Sequence, residues 1–201
     1  MGIYLNPNNG RFLQAVNSRI YVDKSPLIAF TNERIGTEQK NICVSRPRRF
    51  GKSVNLAMLA AYYSKGCDSR DLFSDLSIAS SESYSKHLNQ YNVIYINMQD
   101  FLSRSKDIEN MLQRLEKRLF KDLHTANPEV DLDIDDGLAF WMEDFFSVDK
   151  VPFVILIDEW DCVMREHMND KESQRVYLDF LRNWLKDKEY VALAYMTGIL
   201  P

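Results

Sequence analysis

The feature that most constrains this chain is the octet Arg46-Pro47-Arg48-Arg49-Phe50-Gly51-Lys52-Ser53, read together with its flanks. Ahead of it lies Ile42-Cys43-Val44, an apolar run of strand character; behind it Val54-Asn55-Leu56-Ala57-Met58-Leu59-Ala60-Ala61 has helical character. A strand, a tight loop and Gly-Lys-Ser opening a helix form the context that a phosphate-binding loop requires. The first turn of a helix carries unpaired N–H groups and a partial positive charge, and the loop before it can curl its amides around a phosphate. Lys52 adds a mobile cation for β- and γ-phosphates, Ser53 offers a hydroxyl to Mg²⁺, and Gly51 lets the backbone close in. Arg46, Pro47, Arg48, Arg49, Phe50, Gly51, Lys52, Ser53 and Val54 are therefore the candidate phosphate-binding residues. The usual spacing, G-x-x-x-x-G-K-[ST], has a glycine where this chain has Arg46. Taken alone, the octet also fits a plain basic turn.

A chain of 201 residues, 45% of them hydrophobic, suits one globular domain with a substantial core. It contains no run of about 18 apolar residues for a membrane span. The start Met1-Gly2-Ile3-Tyr4-Leu5-Asn6 lacks a basic-then-apolar signal peptide, so a cytoplasmic location and no membrane partner are expected. Cys43, Cys67 and Cys162 are odd in number and far apart, which suggests neither a disulfide framework nor a zinc site. A net charge of −4 argues against a wholesale nucleic-acid-binding surface. Locally, Arg46, Arg48, Arg49 and Lys52 make a basic patch that suits the phosphates of a nucleotide or a polynucleotide, so nucleic acid stays a candidate partner.

Along the chain, residues 1–39 read as a lead-in and residues 40–201 as the core. The first 19 residues look loose, with turn chemistry at Asn6-Pro7-Asn8-Asn9-Gly10, and Ile20-Tyr21-Val22 predicts a short strand. Ser25 as N-cap, Pro26 at the first helical position and Gly36 as a stop frame a helix from Pro26 to Ile35. After the helix that follows the octet, residues 66–92 read as short turns and one weak helix. Val93-Ile94-Tyr95-Ile96-Asn97 predicts a second strand, and Ile108, Met111, Leu112, Leu115 and Leu119 recur at helical spacing. Asp131, Asp133 and Asp135 alternate as in a calcium loop, but the glycine and closing glutamate of such a loop are missing, so an exposed acidic loop is expected. Leu138, Trp141, Met142 and Phe145 suggest another helix, as do Val176, Tyr177, Phe180, Leu181, Trp184 and Leu185.

Phe153-Val154-Ile155-Leu156-Ile157-Asp158-Glu159 is the second decisive stretch. Its continuous apolar run describes a central parallel strand, and its two carboxylates fall at the strand end where α/β sheets place their sites. Val191-Ala192-Leu193-Ala194-Tyr195-Met196 is a fourth apolar run, ending in Thr197-Gly198. Strands alternating with helices imply a parallel sheet covered on both faces. The expected architecture is a three-layer P-loop NTPase of the additional-strand ATPase class, in which the strand of Val191–Thr197 lies between the phosphate-loop strand and the strand of the acidic pair. Asp158 would hold Mg²⁺ through its water shell, Glu159 would orient and deprotonate the attacking water, and Thr197 would sense the γ-phosphate.

Ile20-Tyr21-Val22-Asp23-Lys24-Ser25, Ser45 to Ser53, Asp158-Glu159-Trp160-Asp161 and Thr197-Gly198-Ile199-Leu200-Pro201 together resemble the bacterial AAA-ATPase-like family. The form R-P-R-R-F-G-K-S is typical of that family, so the resemblance accounts for the missing first glycine and implies ATP as the nucleotide. Members usually continue into a PD-(D/E)XK nuclease-like domain, which would lie beyond Pro201 and is not carried over. Asp161 could brace the metal shell or Lys52, or cap a helix; Trp160 is expected to pack, and Asp23 and Lys24 precede the loop strand where related ATPases place adenine contacts. Arg48, Arg49, Arg165 and Arg182 are all candidates for an arginine finger, and a neighbouring subunit could supply one instead. The alternative to hydrolysis is a nucleotide-dependent switch or interaction module with little turnover. In the sheet order of the additional-strand class a fifth strand would follow Pro201. The expectation is thus a truncated module with an open edge at Ile42–Val44, marginally stable and weakly active unless an oligomeric partner or C-terminal domain covers it.

Overall fold

Short runs of β-branched and aromatic residues build β1 (Asn41–Ser45), β2 (Asn92–Asn97), β3 (Phe153–Asp158) and β4 (Val191–Gly198). In the computed structural model, which describes residues 2–200, they form one parallel sheet in the order β1-β4-β3-β2. Met1 and Pro201 lie outside the described residues, and with Pro201 the end of the Thr197–Pro201 landmark and of the predicted truncation. As expected, β4 separates the strand leading into the octet from the strand that carries the acidic pair. Register then sets Asn97 beside Asp158, Asp158 beside Thr197, and Val44 beside Thr197, so the polar strand tips meet in a row.

Around the sheet lie α1 (Gly10–Val16), α2 (Pro26–Asn32), α3 (Lys52–Tyr63), the single turns α4 (Arg70–Phe73) and α5 (Tyr84–His87), α6 (Met98–Leu102), α7 (Ile108–Ala126), α8 (Leu138–Asp149), α9 (Cys162–Glu166) and α10 (Lys171–Leu185). Alternation along the strands divides the core in two. Ile94, Ile96, Ile155 and Ile157 face the layer of α7, α8 and α10, through Leu115, Leu119, Trp141 and Trp184. Val93, Tyr95, Val154, Leu156 and Leu193 face the layer of α1, α2 and α3. Asp107 caps α7 by accepting from Asn110 N at 2.7 Å, and Asp170 caps α10 by accepting from Ser173 N at 3.0 Å. At the end of α3, the buried Tyr62 and Tyr63 donate to Tyr84 O and Asn32 Oδ1, each at 2.7 Å, fastening the helix to its layer.

Several expectations are corrected. The first residues are docked: Leu5 bridges Ile94 antiparallel, Asn6 N donates to Val93 O, Tyr95 N donates to Tyr4 O, and Leu5 is wholly buried. Asp122 adds to this contact by accepting from Tyr4 N at 2.7 Å and Leu5 N at 3.1 Å, and the Asn6 side chain accepts from Val93 N at 2.8 Å; none of these long-range partners has a periodicity to read. Ile20–Val22 forms no strand, because it meets no sheet edge; the Tyr21 ring packs edge-on against Phe12 instead. α2 stops at Asn32, and the Ser25 hydroxyl does not cap it but accepts from Ile78 N at 3.0 Å. Gly36 does supply a left-handed turn, φ 68°, and its N–H donates to Ala192 O at 3.0 Å. Residues 66–92 contain three short helical pieces, α4, a 3₁₀ turn at Ser77–Ser80 and α5, in place of one weak helix.

Candidate nucleotide site

The octet leaves β1 at the C-terminal edge of the sheet. Arg46 N still donates to Gly198 O at 3.1 Å, continuing the ladder, and the backbone reverses at Arg49 (φ 67°) and Gly51 (φ 77°). The left-handed residues of the loop are therefore the latter two, and position 46 makes no demand that only glycine meets. Lys52, 8% exposed, opens α3 and turns its ammonium back onto the loop, donating to Arg46 O at 3.1 Å and Pro47 O at 3.2 Å. An ammonium has three donors, so one remains for a ligand. Lys24 reaches in from the lead-in, donating to Phe50 O at 3.2 Å.

Across the sheet edge, Asp158 is 1% exposed and accepts three hydrogen bonds: from the Ser53 hydroxyl at 2.5 Å, the Thr197 hydroxyl at 2.6 Å and its neighbour's amide, Glu159 N, at 3.1 Å. Parallel pairing of β3 with β4 brings Thr197 here, and the entry of α3 brings Ser53. The Thr197 hydroxyl is engaged by the carboxylate. Glu159 sits at φ 53°, a conformation uncommon for a side chain of its size, and its carboxylate accepts from Arg165 at 2.5 Å. Arg165 also donates to Asp161 Oδ1 at 3.2 Å. Asp161, fully buried, accepts from Ile199 N at 2.6 Å and Leu200 N at 2.7 Å. It stands ahead of α9 without capping it and reaches neither Lys52 nor Ser53; it clamps the chain leaving β4. Gly198 is needed there on space alone, since a Cβ would lie 2.8 Å from Asp161 and from the Trp160 indole nitrogen. Trp160 packs against the core of the α7 layer.

Between loop and acidic pair opens a cleft of about 520 Å³, lined by Arg48, Arg49, Lys52, Ser53, Glu159 and Arg165 among others. Asn97 and Gln99 line it as well, and neither was among the sequence candidates. The polar end of the second apolar run was the available signal for Asn97; nothing local marked Gln99, which donates to Glu166 Oε1 at 2.6 Å from α6. No cluster of three or more His, Cys, Asp or Glu suited to a metal occurs among the described residues. A Mg²⁺ site of the kind that uses one or two carboxylates plus phosphate oxygens needs no such cluster, and the donor set of Ser53 and Asp158 fits it. Arg182 lies away from this cleft, donating to Asp179 at 2.6 Å.

A parallel α/β sheet that gathers a lysine at a helix entry, a serine and an acidic pair on its C-terminal edge is a P-loop-like domain. Residues 14–201 match the AAA-ATPase-like family model, described as a predicted AAA-ATPase, and the chain belongs to that family. Membership points to nucleotide binding. No curated protein matches the chain. No helix among the described residues is long and apolar enough to cross a membrane.

Proposed function

We propose that the chain binds ATP with Mg²⁺ at this edge and hydrolyses it, as a P-loop ATPase of the additional-strand class. The observation that carries the reading is the 2.5 Å hydrogen bond from Ser53 to Asp158, which joins the loop's helix to the acidic pair across 105 residues of chain. In this reading the amides of residues 48–53 and the Lys52 ammonium hold the β- and γ-phosphates. Ser53 and Asp158 hold Mg²⁺, which when bound neutralises charge on the phosphates. Glu159 takes a proton from water as the water oxygen bonds to the γ-phosphorus. The bond to the bridging oxygen breaks, leaving ADP and phosphate. Thr197 acts through Asp158, whose orientation its hydroxyl fixes.

A second reading has an observation of its own: the Arg165 guanidinium holds the Glu159 carboxylate, and a base held this way suits a switch that keeps ATP with little turnover. Glu159→Gln separates the two, because it removes the base and keeps the shape. Hydrolysis is expected to slow by roughly 10²-fold or more with Mg·ATP affinity retained. If the variant and the parent hydrolyse ATP equally slowly in single-turnover assays, Glu159 is not a base and the switch reading stands. The basic residues Arg48 and Arg49 keep nucleic acid as a proposed partner, and the same assay with and without DNA tests it.

A further inference from the structure

On its open face α7 carries charge that nothing in the chain neutralises. Arg114, Lys117, Arg118 and Lys121 recur along it at three- and four-residue spacing, so they share one stripe, and all four are exposed. Arg114 and Arg118 stand four residues apart, as do Lys117 and Lys121, and like charges at that spacing repel. The acids of the same helix turn elsewhere. Asp122, at ion-pair spacing from Arg118, is engaged by Tyr4 N and Leu5 N, and Glu116 accepts from Leu138 N at 3.3 Å. None of the four cations forms an ion pair among the described residues.

Beside the stripe runs a strip of the opposite sign. The loop after α7 holds Glu129, Asp131, Asp133, Asp135 and Asp136, all exposed and none in an ion pair among the described residues. It doubles back along the helix. The Trp141 indole N–H donates to Asp133 O, the Trp141 ring packs edge-on against Phe120 with centroids 4.9 Å apart, and Leu138 N reaches Glu116. Glu116 and Phe120 lie on the row of α7 next to Lys117 and Lys121, so stripe and loop are neighbours on one face. At the loop's far end burial first, then the charges of Asp136, Glu143 and Asp131, push the Asp144 carboxyl up, as crowded carboxylates do. Ile134, in the middle of the loop, is 59% exposed.

We propose that this face is a contact between two copies of the chain, with the α7 stripe of each lying on the acidic loop of the other. A polyanion could reach the cations only by also meeting the five carboxylates beside them, whereas a second copy brings both signs in matching order. A two-fold axis along the boundary between stripe and loop makes both pairings at once and closes the assembly as a dimer. Asp122 ties α7 to the segment that pairs with β2, so this contact lies across the sheet from the open edge at β1. The 19 residues of α7 span about 28 Å, and helix plus loop are about 20 Å wide. Two such faces bury roughly 1,100 Å², at the low end for a specific interface, so the dimer is weak and salt-sensitive.

Sedimentation velocity tests this over about 1–100 μM chain, in low salt and in about 1 M salt, where charges are screened beyond about 3 Å. The parent is expected to dimerise in low salt, and the high salt to weaken the dimer about tenfold or more. Lys117→Glu with Arg118→Glu reverses the stripe, and Asp131→Lys with Asp135→Lys reverses the loop. Each double variant alone is expected to be a monomer, because both pairings then set like on like. Mixed in equal amounts, the two variants are expected to recover a heterodimer in which both pairings again join opposite charges, a recovery that misfolded variants cannot give. A parent that stays monomeric in low salt overturns the proposal. So does a dimer that either reversal leaves intact, or a mixture that stays monomeric. A monomeric parent that binds a short DNA duplex or phosphatidylserine vesicles, and loses that binding when the stripe is reversed, gives the stripe to a polyanion instead.

Discussion

Asp158 and Lys52 fasten the loop from opposite sides of the candidate site, the first to the sheet and the second to the loop itself. Asp158 draws Ser53 and Thr197 onto one carboxylate, and Lys52 closes the loop on its own carbonyls while keeping a donor for a ligand. In the proposed reading, removing that donor takes away the one lysine aimed at the phosphates and leaves them to the loop amides and the metal. Lys52→Ala is therefore expected to weaken ATP binding by roughly 10- to 100-fold, the range for a lost charge-assisted hydrogen bond. Calorimetric titration checks this, and an unchanged affinity in the folded variant would return the octet to a basic turn. Arg165, which holds both Glu159 and Asp161, couples the acidic pair to the clamp that fixes the chain after β4.

Among the elements, β1 is the exposed one. It pairs only with β4 among the described residues, and Asn41 and Cys43 are exposed, whereas β3 is buried throughout between β4 and β2. Edge strands open more readily than central ones, so hydrogen exchange over residues 41–45 is expected to be faster than over residues 153–158. Equal protection in a monomer without nucleotide would show β1 covered in solution. The entry to α2 carries a pH dependence. Asp23 accepts from Ser25 N at 2.8 Å and from Ser77 N and Oγ at 2.8 and 2.6 Å. Burial raises its pKa, but the Ser77 and Ser25 hydrogen bonds prevail and lower it to about 2. A carboxylate with a depressed folded pKa stabilises above its unfolded value of about 3.9. That stabilisation is lost as pH falls through about 2. Asp23→Asn is thus expected to lose less melting temperature than the parent between about pH 4 and pH 2, and parallel curves would contradict it.

For the molecule as a whole, the candidate site spans β1, β3, β4 and α3, so a ligand bound there would be linked to global stability. Mg·ATP at a hundred times its Kd is expected to add about 2.7 kcal/mol, or roughly 5–10 °C in Tm for a chain of this size. The shift should shrink in Lys52→Ala or with chelator, and a shift unaffected by either would place binding elsewhere.

Much of this organisation is local in origin. The apolar runs ending at Val44, Asn97, Asp158 and Gly198 carry their strand character in a handful of adjacent residues, and Gly51-Lys52 opens α3 through turn and helix-entry chemistry within one loop. The alternating order of strands and helices then implies a parallel sheet with its site at one edge. Beyond that, the tertiary structure decides. Leu5 on the edge of β2, the Tyr21 ring on Phe12 between exposed Ile20 and Val22, the Ser25 hydroxyl on Ile78 and the grip of Arg165 on Glu159 each depend on which surface the rest of the chain brings close. Propensity and periodicity act over a few residues, whereas the partner of a side chain is set by sheet register and layer packing across the whole chain. Ser53 and Asp158 meet for that reason: each was a candidate by its own neighbours, and only the pairing of β1 and β3 through β4 puts hydroxyl and carboxylate 2.5 Å apart.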